Sequence, residues 1–169
     1  NSFNTLISEI ERDPKIAIEY VENLSQFFRN IISYKDVELI PISEELELLE
    51  TYIFIQAKRY GSNLIFTKDS NIAMQETGFI PPLTLQLLAE NAIKHNSISH
   101  ESPLKIELMV KEGYLALKNN INPKYKIEES TGIGLQNIKN RYKILEGEPV
   151  LIEKTNDHFI VSVPIIKKK

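Results

Sequence analysis

The stretch from Ile80 to Asn96, IPPLTLQLLAENAIKHN, constrains the chain most, because its pattern fits a helix and its polar groups fall together. Pro81 and Pro82 suit a helix start, where a missing N–H costs nothing, and nothing interrupts the pattern before Asn96 and Ser97. At ~100° per residue Leu85, Leu88, Ala89 and Ala92 fall on one side, while Glu90, Asn91 and Lys94 fall on the other, with His95 beside Asn91. Such a cluster can be an ordinary solvated surface. Two features argue otherwise. The helix is otherwise apolar, as a helix packed on a sheet is, so its polar groups are concentrated. Downstream, Ser130-Thr131-Gly132-Ile133-Gly134-Leu135 runs directly into another helix, and its backbone N–H groups form a natural phosphate cradle.

The remaining chain bounds what can surround this helix. Its 169 residues suffice for one good core, or for a small domain with a helical appendage. No apolar run approaches the ~18 residues of a membrane span, and the absence of cysteine excludes disulfides and thiolate metal sites. A net charge of −3 argues against direct nucleic-acid binding. The chain opens on Asn1 with Phe3, Leu6, Ile7 and Ile10 already in helical register, which reads as a fragment of a longer protein.

A first helix should stop at Asp13-Pro14, because proline disfavours helical geometry in the residue before it. A longer second helix follows, with Ala17, Val21, Leu24, Phe28 and Ile31 spaced as the seam of a coiled coil or bundle. That seam packs either on the rest of the domain or on a second copy of the chain, and the unequal arms of the hairpin favour the second copy. After a connector from Lys35 to Pro41, Ser43 is the expected N-cap of a third helix, with Glu44 and Glu45 suited to its positive end. Leu46, Leu49, Ile53, Ala57 and Tyr60 carry its apolar stripe to a stop at Gly61, and its acidic residues read as its wet face.

Residues 63–68 form a candidate strand; 103–111 and 114–118 a hairpin about Glu112-Gly113; 150–154 and 159–163 a second hairpin about Asn156-Asp157. Between the hairpins, a polar loop over 121–131 precedes a helix marked by Leu135, Ile138, Tyr142 and Leu145, and Lys167 to Lys169 read as a solvated tail. Helices interleaved with hairpin-linked strands predict an α+β two-layer sandwich, one mixed, mostly antiparallel sheet with helices on one face, preceded by a helical hairpin. Several chemistries are excluded or disfavoured. The third glycine of a dinucleotide fingerprint is replaced by Asn137, no GxxxxGK occurs, no serine sits in a GxSxG elbow, and three scattered histidines make a poor zinc site.

ENAIKHN resembles the N box, and TGIGLQNIKNRYKIL the second glycine box, of the ATP-binding domain shared by gyrase, heat-shock chaperones, mismatch-repair ATPases and histidine kinases. SEELELLETYIFIQAKRYG followed by IPPLTLQLLAENAIKHN further resembles the LytS/YehU-type sensor histidine kinases, and the opening NSFNTL resembles the end of their phosphoacceptor motif. The resemblance covers nearly the whole chain. It implies a Bergerat-type ATP-binding domain over 41–169, and over 1–40 a truncated dimerisation and phosphotransfer hairpin with its connector. It implies ATP and Mg²⁺ as cofactors, a homodimer, a response regulator partner of the LytTR type, and a cytoplasmic region anchored to the inner membrane by upstream segments.

Residue by residue, the resemblance makes Asn91 the Mg²⁺ ligand, its amide oxygen being a hard donor. It gives Glu90 the place of an acid that polarises the attacking group or orients a ligand. Lys94 and His95 fall where relatives direct basic groups at phosphate, with a purely structural His95 as the alternative. Gly132, Gly134 and Leu135 would form the lid over the phosphates, and Asn137 and Arg141 would sit near the phosphate end or brace the lid. The first glycine box departs from the family. Asn119 stands at the aspartate position that accepts a hydrogen bond from adenine, Asn120 follows, and Ile121 replaces a glycine, which predicts weaker adenine recognition. No histidine here fits the phosphoacceptor motif. Alternatives to the kinase are a degenerate dimeric scaffold and an ATP hydrolase of the same superfamily.

Overall fold

The structure, a computed structural model, describes residues 2–75, 78–123, 133–145 and 147–167. Helices α1 (Ser2–Arg12) and α2 (Pro14–Ser33) form the hairpin. Asp13 separates them in an extended conformation, and its carboxylate accepts from the Lys15 N–H at 2.9 Å, so the residue before the proline ends one helix and caps the next. The expected seam of α2 divides. Ala17, Tyr20 and Phe27 are buried, with Phe27 stacked near Tyr52, whereas Val21 and Phe28 are exposed, as are Ile7 and Ile32. Leu24 and Ile31 of the expected seam also pack on the core, so within this chain Val21 and Phe28 are its uncovered members.

Strand β1 (Ile40–Pro41) leads straight into α3 (Ile42–Tyr60), which begins one residue before Ser43 and has no side-chain cap of its own. Gly61, at φ 57°, closes it in a left-handed conformation. Then follow β2 (Leu64–Lys68), β3 (Gly78–Ile80), α4 (Thr84–His95), β4 (Leu104–Lys111), β5 (Tyr114–Asn120), α5 (Ile133–Ile144), β6 (Leu151–Lys154), β7 (His158–Pro164) and β8 (Ile166–Lys167). The main sheet runs β2-β4-β5-β7-β6, with β2 parallel to β4 and every other pair antiparallel. The tight β4–β5 turn places Glu112 and Gly113 both at positive φ, as a hairpin matched to strand twist requires.

Alternation along the strands decides the layers. Leu104, Ile106 and Leu108 of β4, Leu115 and Leu117 of β5, and Val161 and Val163 of β7 are buried on one face, under α4 and α5. The other face carries polar pairs such as Glu107 and Lys118, directly opposite in register and bridged at 3.0 Å. This is the expected mixed, mostly antiparallel sheet with helices on one face. A second sheet, β1-β3-β8, was not expected, because its strands are two or three residues long and give no alternation to read. It takes Lys167 into a strand paired with Gly78, where a solvated tail was expected.

Two further expectations are corrected. Pro81 and Pro82 do not open α4; they follow β3 in a turn, Leu83 adopts a left-handed φ of 63°, and the helix starts at Thr84. The N–H groups freed there are met from another helix. Glu45, fully buried rather than on a wet face, accepts from Leu83 N–H at 2.8 Å and from Leu85 N–H at 2.7 Å. A buried carboxyl group on α3 thus caps α4.

Burial pushes the Glu45 carboxyl up to about 8, against the opposing pull of the Leu85, Leu83 and Gln86 amides and of Arg141. A carboxyl that holds its proton more tightly in the folded chain than in the unfolded chain contributes stability below the ordinary carboxylate range, and that contribution is lost as pH rises toward the folded value. Urea unfolding is expected to show stability declining between about pH 5 and 8, with Glu45→Gln flattening the slope while removing about 1–3 kcal/mol through the poorer cap. An unchanged slope in Glu45→Gln would place the titration elsewhere.

Candidate functional site

A cavity of about 510 Å³ opens between α4, the sheet and the start of α5. Its floor is apolar, formed by Leu117, Val161 and Phe159 of the strands and by Leu88 and Ala92 of α4. Its polar groups come from three directions: Asn91, Lys94 and His95 on α4, Asn119 on β5, and Lys154 on β6. Gly134 and Leu135 of α5 complete the wall. A broad apolar surface with a few convergent polar groups is what a small-molecule site requires.

Asn119 continues the inward row of Leu115 and Leu117, so it is a polar residue placed where the strand period demands an apolar one. It is 3% exposed, flanked in register by Ile106 and Phe159. Its Nδ2 donates to the Asn120 carbonyl at 2.7 Å, which leaves the Oδ1 as the acceptor it can offer a ligand. Asn120 itself is committed to structure. Its Oδ1 accepts from Lys105 N–H at 2.7 Å and its Nδ2 donates to the Pro103 carbonyl at 3.0 Å, fastening the end of β5 to the start of β4.

Asn96 and Asn122 close the cavity's other end. The Asn96 Nδ2 donates to the Ala92 carbonyl at 2.7 Å while its Oδ1 accepts from Asn122 N–H at 2.6 Å, so the last turn of α4 is stitched to the chain leaving β5. Asn91 meets α5 directly, since a Cβ added to Gly134 would lie 3.4 Å from the Asn91 Nδ2 and 3.5 Å from its Oδ1. Arg141, seven residues further along α5, lies away from the cavity and donates to the Pro82 carbonyl at 2.8 Å. Asn137 is exposed on α5 and does not line the cavity. Glu90 is also exposed and outside the lining; burial first and then the Glu90 charge push the Tyr52 hydroxyl up, which places Glu90 toward α3. Gly132 lies outside the described residues.

The structure therefore gathers Asn91, Lys94, His95, Asn119, Gly134 and Leu135 about one cavity, and leaves Glu90, Asn120, Asn137 and Arg141 off its lining. Sequence reasoning missed Lys154 and Phe159, which come from the last hairpin and carry no motif. It also missed the Asn96–Asn122 tie, for which the asparagine after a helix was the one available signal. Among the described residues no group of three or more histidines or carboxylates could hold a metal ion, so any cation here would rest on the Asn91 amide and on its ligand's own oxygens.

Comparison with known proteins follows the same lines. Residues 1–64 match the histidine kinase family. The chain is 31% identical over 167 residues to the sensor histidine kinase YpdA of Escherichia coli, covering 91% of this chain and 29% of that protein. It is 32% identical over 157 residues to the sensor histidine kinase YesM of Bacillus subtilis, covering 85% and 27%, and 27% identical over 174 residues to the sensor protein LytS of Staphylococcus saprophyticus, covering 94% and 29%. In fold it is similar to the catalytic domain of histidine kinase ThkA, with a TM-score of 0.51 at 15% identity over 75% of this chain and 94% of that one. The cytoplasmic segment of histidine kinase QseC gives 0.50 at 16% identity over 91% and 95%.

The fold is thus that of a histidine kinase catalytic domain with a helical hairpin before it. The family match over residues 1–64 and these relatives make the chain similar to the sensor histidine kinases, LytS among them. The chain spans less than a third of the length of these three relatives.

The cavity fits a nucleotide with its cation. The apolar floor suits a base, the Asn119 oxygen an exocyclic amine, and Asn91, Lys94, His95 and Lys154 suit a charged phosphate chain and its ion. Because Gly134 lies against Asn91, a larger side chain there should push the amide aside. Gly134→Val is expected to weaken displacement of a fluorescent nucleotide by at least about tenfold, with Gly134→Ala close to the parent because its Cβ meets Asn91 at ordinary contact distance, and equal affinity in Gly134→Val and the parent would show that Asn91 is not held from α5.

Proposed function

We propose that this chain is the ATP-binding catalytic region of a two-component sensor histidine kinase, transferring the ATP γ-phosphate to a histidine upstream of Asn1 and then to a response regulator. The observation that carries the reading is the convergence of Asn91, Asn119 and Gly134, from two separate motifs and a strand, on one cavity. In this reading residues 1–40 are the dimerisation and phosphotransfer hairpin with its connector, and 41–169 the catalytic domain. The intact protein is a homodimer that pairs with a response regulator of the LytTR type. It is held at the inner membrane by segments upstream, with this region in the cytoplasm; no helix among the described residues is long and apolar enough to cross a membrane.

ATP supplies the phosphoryl group, and Mg²⁺ held by Asn91 would neutralise its charge. The chain's own part is to position and screen. Leu117, Val161 and Phe159 exclude water from the base, and the Asn119 Oδ1 accepts from its amino group. In the last turn of α4, Lys94 would add positive charge and His95 a ring N–H on the wall shared with Gly134. Phosphoryl transfer asks for positioning and charge compensation more than covalent help, and these residues supply both. Asn119 supports adenine recognition that is weaker than a carboxylate would give, since a neutral acceptor replaces a charged one.

The test is a longer chain that includes the upstream histidine, incubated with γ-labelled ATP and Mg²⁺. Acid-labile label on that histidine, lost by at least about a hundredfold in Asn91→Ala, is the expected result. Label released only as free phosphate would make the protein a hydrolase, and no turnover of any kind would make it a scaffold.

A further inference from the structure

Helix α5 runs antiparallel to α4, and two contacts tie its ends to α4 and to the turn before it. At one, Gly134 at the start of α5 lies against the Asn91 side chain. At the other, the Arg141 guanidinium donates to the Pro82 carbonyl just ahead of α4, at 2.8 Å. Both spacings are about two turns, roughly 9–14 Å along each axis, so the second contact is a pivot for the first. Gly134 sits in the first turn of α5, and its position against Asn91 depends on how firmly the other end of the helix is held.

That held end joins an exposed residue, Arg141, to buried polar groups, among which the Tyr142 hydroxyl has no hydrogen-bond partner among the described residues. Its centre is Glu45 of α3, fully buried, whose two carboxyl oxygens accept from Leu83 and Leu85 N–H. Glu45 fixes the turn that presents the Pro82 carbonyl to Arg141, and the positive charge of Arg141 acts on Glu45 in return. Tyr142, the next residue of α5, is buried beside them, its hydroxyl pushed up by burial and then by the Glu45 charge. Leu83 is left-handed, a conformation that a leucine adopts at a cost and keeps only where its surroundings hold it, as the bond from its N–H to Glu45 does here. Three helices meet at this clip, and none of its members lines the cavity.

We infer that Glu45 and Arg141 form a positioning pair, which sets the angle of α5 and so holds Gly134 and Asn91 in the arrangement that takes a nucleotide. The binding part of this inference rests on the function proposed above; the structural part does not. A pair that acted only through stability would lower the melting temperature and leave the native arrangement of Asn91 unchanged.

The experiment compares the parent chain with Glu45→Gln, Arg141→Ala and Arg141→Lys, each well below its melting temperature. The first readout needs no nucleotide: the NMR positions of the Gly134 amide and the Asn91 side-chain amide, two turns from the substitutions. Both should move in Glu45→Gln and Arg141→Ala and return toward the parent in Arg141→Lys, whose ammonium can still donate to the Pro82 carbonyl. The second readout is Mg-ATP affinity, expected to fall about tenfold in the first two variants and to recover in the third. Unmoved amide positions with only a lower melting temperature would overturn the inference, as would moved positions with undiminished affinity. If the parent binds no Mg-ATP, the proposed function fails, and the free-state spectra alone decide the positioning pair. Should Glu45→Gln fail to fold, the Arg141 variants carry the same comparison.

Discussion

The site depends on a helix cap supplied from a different helix. Nothing in α4 itself satisfies its first N–H groups: its N-cap is a leucine in a left-handed conformation, preceded by two prolines that offer carbonyls and no donors. Glu45, nearly forty residues upstream, meets two of those donors from the first turn of α3. Because α4 carries Asn91, Lys94 and His95, the placement of the cavity's polar wall follows from where α3 begins. That start is in turn fixed by the short sheet joining β1 to β3 and by Tyr34, whose hydroxyl donates to the neighbouring Glu44 at 2.8 Å. The hairpin, α3 and the cavity wall are therefore one mechanical series.

Much of this was legible in the sequence. The periods of α4 and of the two hairpins are strong because each buries one face, and the structure keeps them to within a few residues. The cluster of Asn91, Lys94 and His95 could be read as concentrated because the rest of its helix is apolar. What escaped was long-range or very short. A glutamate on a helix that also carries Glu44, Glu47 and Glu50 looks like solvated surface, and only the packing of α4 against α3 shows that Glu45 alone is buried. The strands of the small sheet are too short to alternate. Four-and-three spacing in α2 fits two overlapping stripes that share Ala17, Leu24 and Ile31, and the one with Tyr20 and Phe27 packs on this chain, Phe27 against Tyr52.

Asn119 illustrates how a departure in sequence becomes a statement about chemistry once its surroundings are known. An isolated asparagine can present either end of its amide. Here one N–H of the amide is bound to the Asn120 carbonyl, which orients the side chain and leaves its Oδ1 open to accept. Ile121, standing where a glycine is usual, lines the same cavity and adds apolar surface in place of a close backbone approach.

The most direct measurement is titration calorimetry of this chain with Mg-ATP, alongside Asn91→Ala. The account predicts saturable binding at one site per chain, reduced at least about tenfold by the substitution while the unfolding midpoint changes little. Absence of binding by the parent chain, or binding that Asn91→Ala leaves intact, would contradict it.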